Sequence, residues 1–162
     1  MEPTVFAKIK SLLGDNKIPY HVIHHSPAGT SEEVAKARGT DLKIGGKTIL
    51  FKVGKEFKLF TFSAARALDS LAIKKYFHEK DRRFATREEL MAMTGLESGT
   101  VPPFGKPVLP FDHFLDKSIT ENEEIAFNAG SITDSIVMRV SGYLKLVKTT
   151  VFEFTKEPDT KK

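Results

Sequence analysis

The 162-residue chain contains no cysteine. This absence excludes a disulfide framework, a cysteine nucleophile and a metal site built from thiolates, and it suits a reducing compartment. No apolar run approaches the roughly 18 residues that a membrane-spanning helix needs. Residues 1–14 also lack a signal-peptide pattern, because Glu2 comes early and lysines interrupt the apolar positions. We therefore expect a cytoplasmic protein that does not enter a membrane.

The sequence also lacks the patterns of two common hydrolytic sites. The nearest approach to a Gly-x-Ser-x-Gly elbow is the segment Gly95–Gly99 with Ser98, whose spacing is wrong. His21, His24 and His25 cluster, but side chains alternate along a predicted strand, which places His24 on the opposite face from the other two. A structural or surface role for these histidines is favoured over a metal site. We expect no metal and no other cofactor.

The composition is that of an ordinary globular domain, with 40% hydrophobic and 28% charged residues. A chain of this length buries a sizeable core without disulfides or metals, and it shows no internal repeat. The formal net charge is +4 and the isoelectric point is about 9.2. A basic surplus favours a polyanionic partner such as RNA, although a surplus this small is equally compatible with a protein that binds no nucleic acid.

Capping residues and apolar periodicity predict the helices. Two pairs, Thr30 with Glu33 and Thr86 with Glu89, have the spacing of a capping box at a helix N-terminus, and glycines mark several C-termini. The predicted helices are Pro3–Leu13 ending at Gly14, Ser31–Arg38 ending at Gly39, Ser70–Phe77 capped by Asp69, a helix after Thr86 that ends at Gly95, and Gly142–Val147.

Runs of β-forming residues predict the strands. Two of them are separated only by a short segment with a glycine, which indicates a hairpin, so a purely parallel sheet is disfavoured. We predict an α+β fold with a mixed sheet, in one domain over residues 1–155 with a loose charged tail over residues 156–162. The predicted strands are Tyr20–His25, Lys47–Val53, Phe57–Phe62, Glu124–Asn128, Ser135–Val140 and Thr149–Phe154.

Lys47 is the first candidate functional residue. Gly45 to Thr48 imitates the end of a phosphate-binding loop, but Asp41 replaces a required glycine, and a strand rather than a helix follows. Lys47 precedes an apolar strand, so its ammonium is placed to hold a phosphate or polarise a carbonyl at the rim of a rigid sheet. The alternative is a lysine that protects a strand edge from aggregation.

Two glycine-containing segments are the other candidates. Gly95–Gly105 combines glycines with prolines, so its backbone N–H groups could receive a carbonyl oxygen or a developing oxyanion. A purely structural connection is an equally good interpretation. Phe127–Ser131 is a polar break after an apolar strand, which lines a pocket in some proteins and is a simple turn in more of them.

In their order along the chain, these features resemble the YbaK / prolyl-tRNA-synthetase-associated editing domain family. The resemblance covers roughly residues 20–150, and although each motif is weak alone, the ordered set is specific. The motifs that carry it are Thr30–Arg38, Gly46–Phe51, Arg66–Asp69, Arg83–Leu90, Thr94–Gly105 and Phe127–Ser131.

The resemblance implies a curved, barrel-like mixed β-sheet with flanking helices. It implies an aminoacyl-tRNA deacylase that hydrolyses, in trans, the ester bond of tRNA carrying a wrong, small amino acid and so serves translation fidelity. Lys47 matches the functional lysine of the family and is the expected catalytic residue. The expected substrate-binding residues are Gly99, Thr100, Pro103, Phe104, Gly105, Asn128, Gly130, Ser131 and Ser135.

This interpretation explains why no nucleophile is visible. An aminoacyl ester is already activated, so positioning and backbone hydrogen bonds suffice for its hydrolysis. Lys47 would hold the terminal phosphate or ribose while water attacks, assisted by a ribose hydroxyl of the substrate, without a metal or a covalent intermediate. The expected partner is the acceptor end of aminoacyl-tRNA, with or without an aminoacyl-tRNA synthetase, and the expected state is a monomer.

One departure from the family pattern concerns specificity. Relatives inserted in prolyl-tRNA synthetases carry a histidine downstream of the glycine that Gly130 matches, whereas residues 130–138 here contain hydroxyls at Ser131, Thr133 and Ser135. Such a wall would favour a small polar side chain such as serine over alanine. Two alternatives stay open: a non-catalytic protein that binds tRNA or its aminoacylated 3′ end, and a small-molecule binding module.

Overall fold

The computed structural model describes residues 4–158. Side chains cap most of its helices: the capping boxes at Thr30 and Thr86 are both present, and Asp69 accepts a hydrogen bond from the N–H of Leu71. In residues 4–158 no helix is long and apolar enough to cross a membrane. The helices are α1 (Val5–Asp15), α2 (Ser31–Arg38), α3 (Ser70–Phe77), α4 (Arg87–Thr94), α5 (Lys117–Thr120) and α6 (Val140–Leu146), with a 3₁₀ turn at Leu42–Ile44.

The described strands form three sheets. A five-stranded mixed sheet has the order β5-β2-β3-β6-β9, a three-stranded antiparallel sheet has the order β1-β8-β7, and β4 pairs with β10. The strands are β1 (Tyr20–His24), β2 (Gly46–Val53), β3 (Glu56–Ser63), β4 (Ala67–Leu68), β5 (Arg82–Phe84), β6 (His113–Asp116), β7 (Glu124–Asn128), β8 (Asp134–Arg139), β9 (Thr150–Phe152) and β10 (Thr155–Lys156).

Two hydrophobic clusters cover the two faces of the five-stranded sheet. Leu50 and Leu59 belong to a cluster that also holds Ile125 and Phe127 of β7, so this cluster joins the two larger sheets. Phe51 and its neighbours form the second cluster, which packs against α3 on the other face. The alternation of side chains along β2 and β3 separates the two clusters.

The predicted α+β class with a mixed sheet is confirmed, and so are the hairpin and both capping boxes. The barrel-like closure is not confirmed, because none of the three sheets in residues 4–158 closes on itself. The strands β4, β5, β6 and β10 and the helix α5 are not among the predicted elements. The first helix does not end at Gly14: it continues to Asp15, and Lys17, with a φ of 57°, takes the left-handed conformation instead.

Several other boundaries differ from the prediction for local reasons. Helix α6 begins before Gly142, at Val140, whose N–H donates to the Glu123 carbonyl. The predicted last strand is interrupted because the N–H of the buried Phe154 donates to Asp116 Oδ1 at 2.7 Å. The strand β10 spans Thr155–Lys156 and so includes the first residue of the predicted tail, while the division into a domain and a tail stays a prediction. The rest of that prediction, over residues 159–162, lies outside the described residues.

Candidate active site

A cleft of about 670 Å³ opens where β2 and β7 separate. A single parallel bridge, Gly45 to Ala126, joins the two sheets at this point. Beyond the bridge, Lys47 to Ile49 form one wall and Asn128 lies opposite. The N-terminal turn of α2 and the loop residues Ser98, Gly99 and Val101 also belong to the lining. Of these elements, β2 contributes side chains to both hydrophobic clusters, and β7 and the loop contribute to the cluster between the two larger sheets.

Lys47 lies at the mouth of this cleft with an exposed side chain. Gly46 precedes it at a place where a Cβ atom would come within 2.9 Å of Ile125 Cδ1, so a glycine lets β2 approach β7. In residues 4–158 no carboxylate lies within 4.0 Å of the Lys47 ammonium. The ammonium is thus available to a ligand.

Gly99 brings its loop to the opposite side of the cleft. Its φ is +87° and no atom lies within 4 Å of an added Cβ, so the backbone conformation rather than space requires glycine here. The Gly99 carbonyl accepts a hydrogen bond of 2.7 Å from Asn128 Nδ2. Thr100 is buried, and its carbonyl accepts the Gly130 N–H at 2.9 Å. Residues from β7 and the following turn therefore fix the loop.

Arg38, at the C-terminal end of α2, lines the cleft and binds two residues that support the Gly99 loop from β7 and β8. Its Nε donates to Ser135 Oγ at 2.8 Å, and its Nη2 donates to Asn128 Oδ1 at 3.1 Å. Ser135 is fully buried and also contacts Asn128 Oδ1 at 3.1 Å and His25 Nε2 at 2.8 Å. Burial lowers the pKa of Arg38 to about 10, so the guanidinium remains charged at neutral pH.

A second hydrogen-bonded chain runs behind Thr48, which lines the cleft. Thr48 Oγ1 contacts Thr61 Oγ1 at 2.7 Å, Thr61 Oγ1 contacts His113 Nε2 at 2.7 Å, and His113 Nδ1 contacts Thr149 Oγ1 at 2.7 Å. Burial lowers the pKa of His113 to about 3, so the ring is neutral near pH 7.

Thr149, the last residue in this series of hydrogen bonds, determines which atom donates in each of them. Thr149 Oγ1 donates to the His113 carbonyl at 3.0 Å, so it accepts from His113 Nδ1–H. His113 Nε2 is then the acceptor of the Thr61 hydroxyl, and Thr61 in turn accepts from Thr48. The hydroxyl proton of Thr48 is therefore directed away from the cleft, and its oxygen can act there only as an acceptor.

A family model described as an aminoacyl-tRNA editing domain matches residues 25–146. The chain belongs to this family. A curated relative, the multifunctional Ser/Thr-tRNA deacylase ProXp-y of Escherichia coli K12, is 26% identical over 156 residues, which cover 92% of each chain. The predicted family and class of activity, hydrolysis of misacylated tRNA, are confirmed.

Solved structures agree on the fold. A structure described as a candidate trans-editing enzyme for prolyl-tRNA synthetase superposes with a TM-score of 0.79 at 22% identity, over 96% of this chain and 99% of that one. A hypothetical protein, APE2540, superposes with a TM-score of 0.81 at 16% identity, over 92% of this chain and 99% of that one. At these identities the likeness concerns the editing-domain fold alone.

The editing domain brings three of the predicted site residues into the cleft lining, namely Lys47, Gly99 and Asn128. Ser135 lies directly behind Asn128, and Thr100 lies behind Gly99. Gly99, Thr100, Asn128 and Ser135 therefore form one connected unit, and Lys47 stands on the opposite wall.

Three predicted binding residues lie in the core of the editing domain instead. The Pro103 carbonyl accepts a hydrogen bond of 2.6 Å from Tyr143, and the Phe104 ring packs edge-on against Phe127. A Cβ on Gly105 would come within 2.4 Å of the Phe111 carbonyl oxygen, so this glycine serves close packing. These residues support the loop from behind and do not line the cleft.

The predicted hydroxyl wall of the editing domain is also displaced from the cleft. Ser131 Oγ contacts Thr133 Oγ1 at 2.9 Å within a turn, and Ser135 is buried in the Arg38 network. Gly130 faces α1, since its missing Cβ would lie 3.2 Å from Val5 Cβ. The hydroxyls that do line the cleft are those of Thr30, Ser31, Thr48 and Ser98.

Arg38 lines the cleft although the sequence did not predict it as a site residue, and His25 contacts Ser135 rather than continuing the predicted strand. Arg38 closes the capped helix of the first family motif, but its contacts lie 90 and 97 residues away in the chain, and no local pattern reveals them. β1 ends at His24, so His25 lies beyond the strand and reaches Ser135. His24 contacts the Asp134 carboxylate, away from the cleft.

Proposed function

We propose that this editing domain hydrolyses seryl and threonyl esters of tRNA in the 670 Å³ cleft. The observation that carries the proposal is the pairing of a free ammonium, Lys47, with the glycine loop at Gly99 across one cleft. The Ser/Thr preference draws on the name of the Escherichia coli relative and on the hydroxyl-bearing residues of the lining, Thr30, Ser31, Thr48 and Ser98.

In the proposed reaction, Lys47 holds the 3′-terminal nucleotide while the loop at Gly99 receives the aminoacyl group. A backbone N–H of the loop polarises the ester carbonyl and stabilises the oxyanion as water adds to the carbonyl carbon. The bond from this carbon to the ribose oxygen then breaks, and the leaving oxygen takes up the proton lost by the water, with a neighbouring ribose hydroxyl as the relay. The products are the free amino acid and uncharged tRNA.

The biological need for such a site follows from the limits of discrimination by size. A synthetase pocket rejects an amino acid that lacks one methylene by only about 1–3 kcal/mol. A second site that admits only small or hydroxyl-bearing side chains adds an independent selection step.

We further infer that the protein is a monomer in the cytoplasm. It acts on the acceptor end of aminoacyl-tRNA, either alone or together with an aminoacyl-tRNA synthetase.

The test is deacylation of a panel of seryl-, threonyl-, alanyl- and cysteinyl-tRNA by the purified protein in EDTA. For Lys47→Ala we expect kcat/KM to fall by about 10- to 100-fold, which corresponds to the loss of one charge-assisted contact of about 1.5–3 kcal/mol. Lys55→Ala is the matched control, because Lys55 is exposed in the turn between β2 and β3, at the other end of β2 from Lys47.

Three outcomes discriminate between the alternatives. Turnover of seryl- or threonyl-tRNA that is lost in Lys47→Ala and retained in Lys55→Ala supports the proposal. Full activity of Lys47→Ala removes the lysine from the mechanism. Salt-sensitive tRNA binding without turnover of any ester identifies a non-catalytic binding protein instead.

A further inference from the structure

The Arg38 guanidinium lines the cleft without an acidic partner. In residues 4–158 no carboxylate lies within 4.0 Å of it. Its two identified hydrogen bonds go to neutral oxygens, Ser135 Oγ and Asn128 Oδ1. The other charged residues in the lining are Lys47 and Glu32, and Glu32 is exposed in the first turn of α2.

A half-buried cation without a counter-ion is costly, because the charge has lost part of its hydration. The lowered pKa of Arg38 has this cause. The position at the C-terminal end of α2 offsets part of the cost. A purely structural clamp on two neutral oxygens needs no charge, since an amide side chain also donates hydrogen bonds. The charge therefore indicates a ligand of opposite sign.

The guanidinium keeps one nitrogen free for that ligand. Nε and Nη2 are engaged by Ser135 and Asn128, whereas Nη1 makes no hydrogen bond to any residue in the described part of the chain. Nη1 lies 3.7 Å from where a Cβ of Gly45 would be, so it is next to the start of β2. Gly45 itself lines the cleft, two residues before Lys47.

We propose that Arg38 and Lys47 form a two-cation subsite that binds a phosphodiester group near the 3′ end of tRNA. The subsite rests on the proposed function, since it places the nucleotide whose ester is hydrolysed. Ser135 and Asn128 fix the guanidinium plane, so that the free nitrogen is presented to the anion before binding. Asn128 accepts a hydrogen bond from Arg38 and donates one to the Gly99 carbonyl, so the same residue positions the phosphate-binding guanidinium and the Gly99 loop.

The experiment is a titration of the isotope-labelled protein with the trinucleotide CCA, observed by NMR through the arginine Nε–H signals. Adenosine, which has no phosphate, is the companion probe. The variant is Arg38→Gln, which retains donors for Ser135 and Asn128 but loses the charge. The matched control is Arg139→Gln, because Arg139 is exposed at the end of β8 and is not part of the cleft lining.

We expect CCA to shift the Arg38 signal and to bind Arg38→Gln about 10-fold more weakly than the wild type, while adenosine binds both equally. For tRNA without an attached amino acid, we plot the logarithm of the binding constant against the logarithm of the salt concentration. The slope of this plot should be shallower by about 0.7 to 0.9 in this variant, as for one lost phosphate contact. Arg139→Gln should retain the wild-type affinity for CCA, and the amide spectra show whether each variant is folded.

Equal affinity of CCA for wild type and folded Arg38→Gln would overturn the subsite, and Arg38 would then be a structural clamp. Deacylation is measured separately on the wild type. If the protein binds CCA through Arg38 but hydrolyses no ester, the subsite is supported and the proposed function is contradicted. The two hypotheses can therefore fail separately.

Discussion

His113 is a neutral histidine enclosed by hydroxyls, and this has a consequence for stability. The pKa of His113 is lowered to about 3 in the folded chain, against an ordinary value of 6.5. Between these values the unfolded chain binds a proton that the folded chain does not. The stability associated with His113 is therefore complete above pH 6.5 and is lost as the pH falls towards 3.

We expect His113→Gln to be less sensitive to acid than the wild type. The difference in unfolding free energy between the two should shrink by up to about 1.4 kcal/mol for each pH unit below 6. Urea unfolding at pH 7, 6, 5 and 4.5 measures this difference, and the comparison cancels the contribution of carboxylates common to both proteins. A difference that stays constant over this range would contradict the assignment of a neutral, buried ring.

At the scale of elements, α2 and α4 both begin with a capping box, but they lie in different parts of the fold. Thr30 and Thr86 each accept a hydrogen bond from the backbone N–H of a glutamate three residues on, at 3.1 Å in both cases. Only the first of these caps lies at the cleft. Removing each cap in turn therefore separates the effect of a lost cap on stability from its effect on activity.

We expect Thr30→Ala and Thr86→Ala each to lower the unfolding free energy by about 1 kcal/mol, because each loses an N-cap. Only Thr30→Ala should also raise the KM for aminoacyl-tRNA, since it loosens the helix turn that borders the cleft. Urea unfolding and deacylation kinetics measure the two effects. An equal change of KM in both variants would show that the cleft responds to stability alone.

Some helices and strands could be predicted from the sequence, and others could not. Capping boxes and a hairpin are local patterns, so α2, α4 and the β2–β3 pair were predicted well. β6 was missed because it pairs in parallel with β3 and β9, which are distant in the chain. The family motifs identified the loop around Gly99 but could not separate its lining residues from those packed behind it. That distinction depends on tertiary contacts.

At the scale of the whole molecule, the two hydrophobic clusters have different relations to the cleft. Phe127 belongs to the cluster between the sheets and directly precedes Asn128, whereas Phe60 belongs to the cluster under α3. Both side chains are fully buried. Damage to either cluster should reduce stability, but only one of them should disturb the site.

We expect Phe127→Leu and Phe60→Leu each to cost about 1–3 kcal/mol of unfolding free energy, as large-to-small changes in a packed core do. At a temperature where both variants remain folded, only Phe127→Leu should lower kcat/KM, because it displaces Asn128 and the loop that Asn128 holds. Comparable losses of kcat/KM in both variants would mean that the two clusters act as one unit.

The single bridge between Gly45 and Ala126 bears on how such a protein changes over evolution. Past this bridge, β2 pairs only with β3 until Leu50, so along Lys47 to Ile49 the described structure has one strand edge without a ladder partner. Beside the side chains of Lys47 and Thr48, that part of the cleft wall has an unpaired strand edge, whose peptide groups every amino acid supplies. Recognition by peptide groups tolerates replacement of the side chains around it. Substitutions along Lys47 to Ile49 therefore change the side chains of this wall but leave the peptide hydrogen-bonding groups of its edge in place.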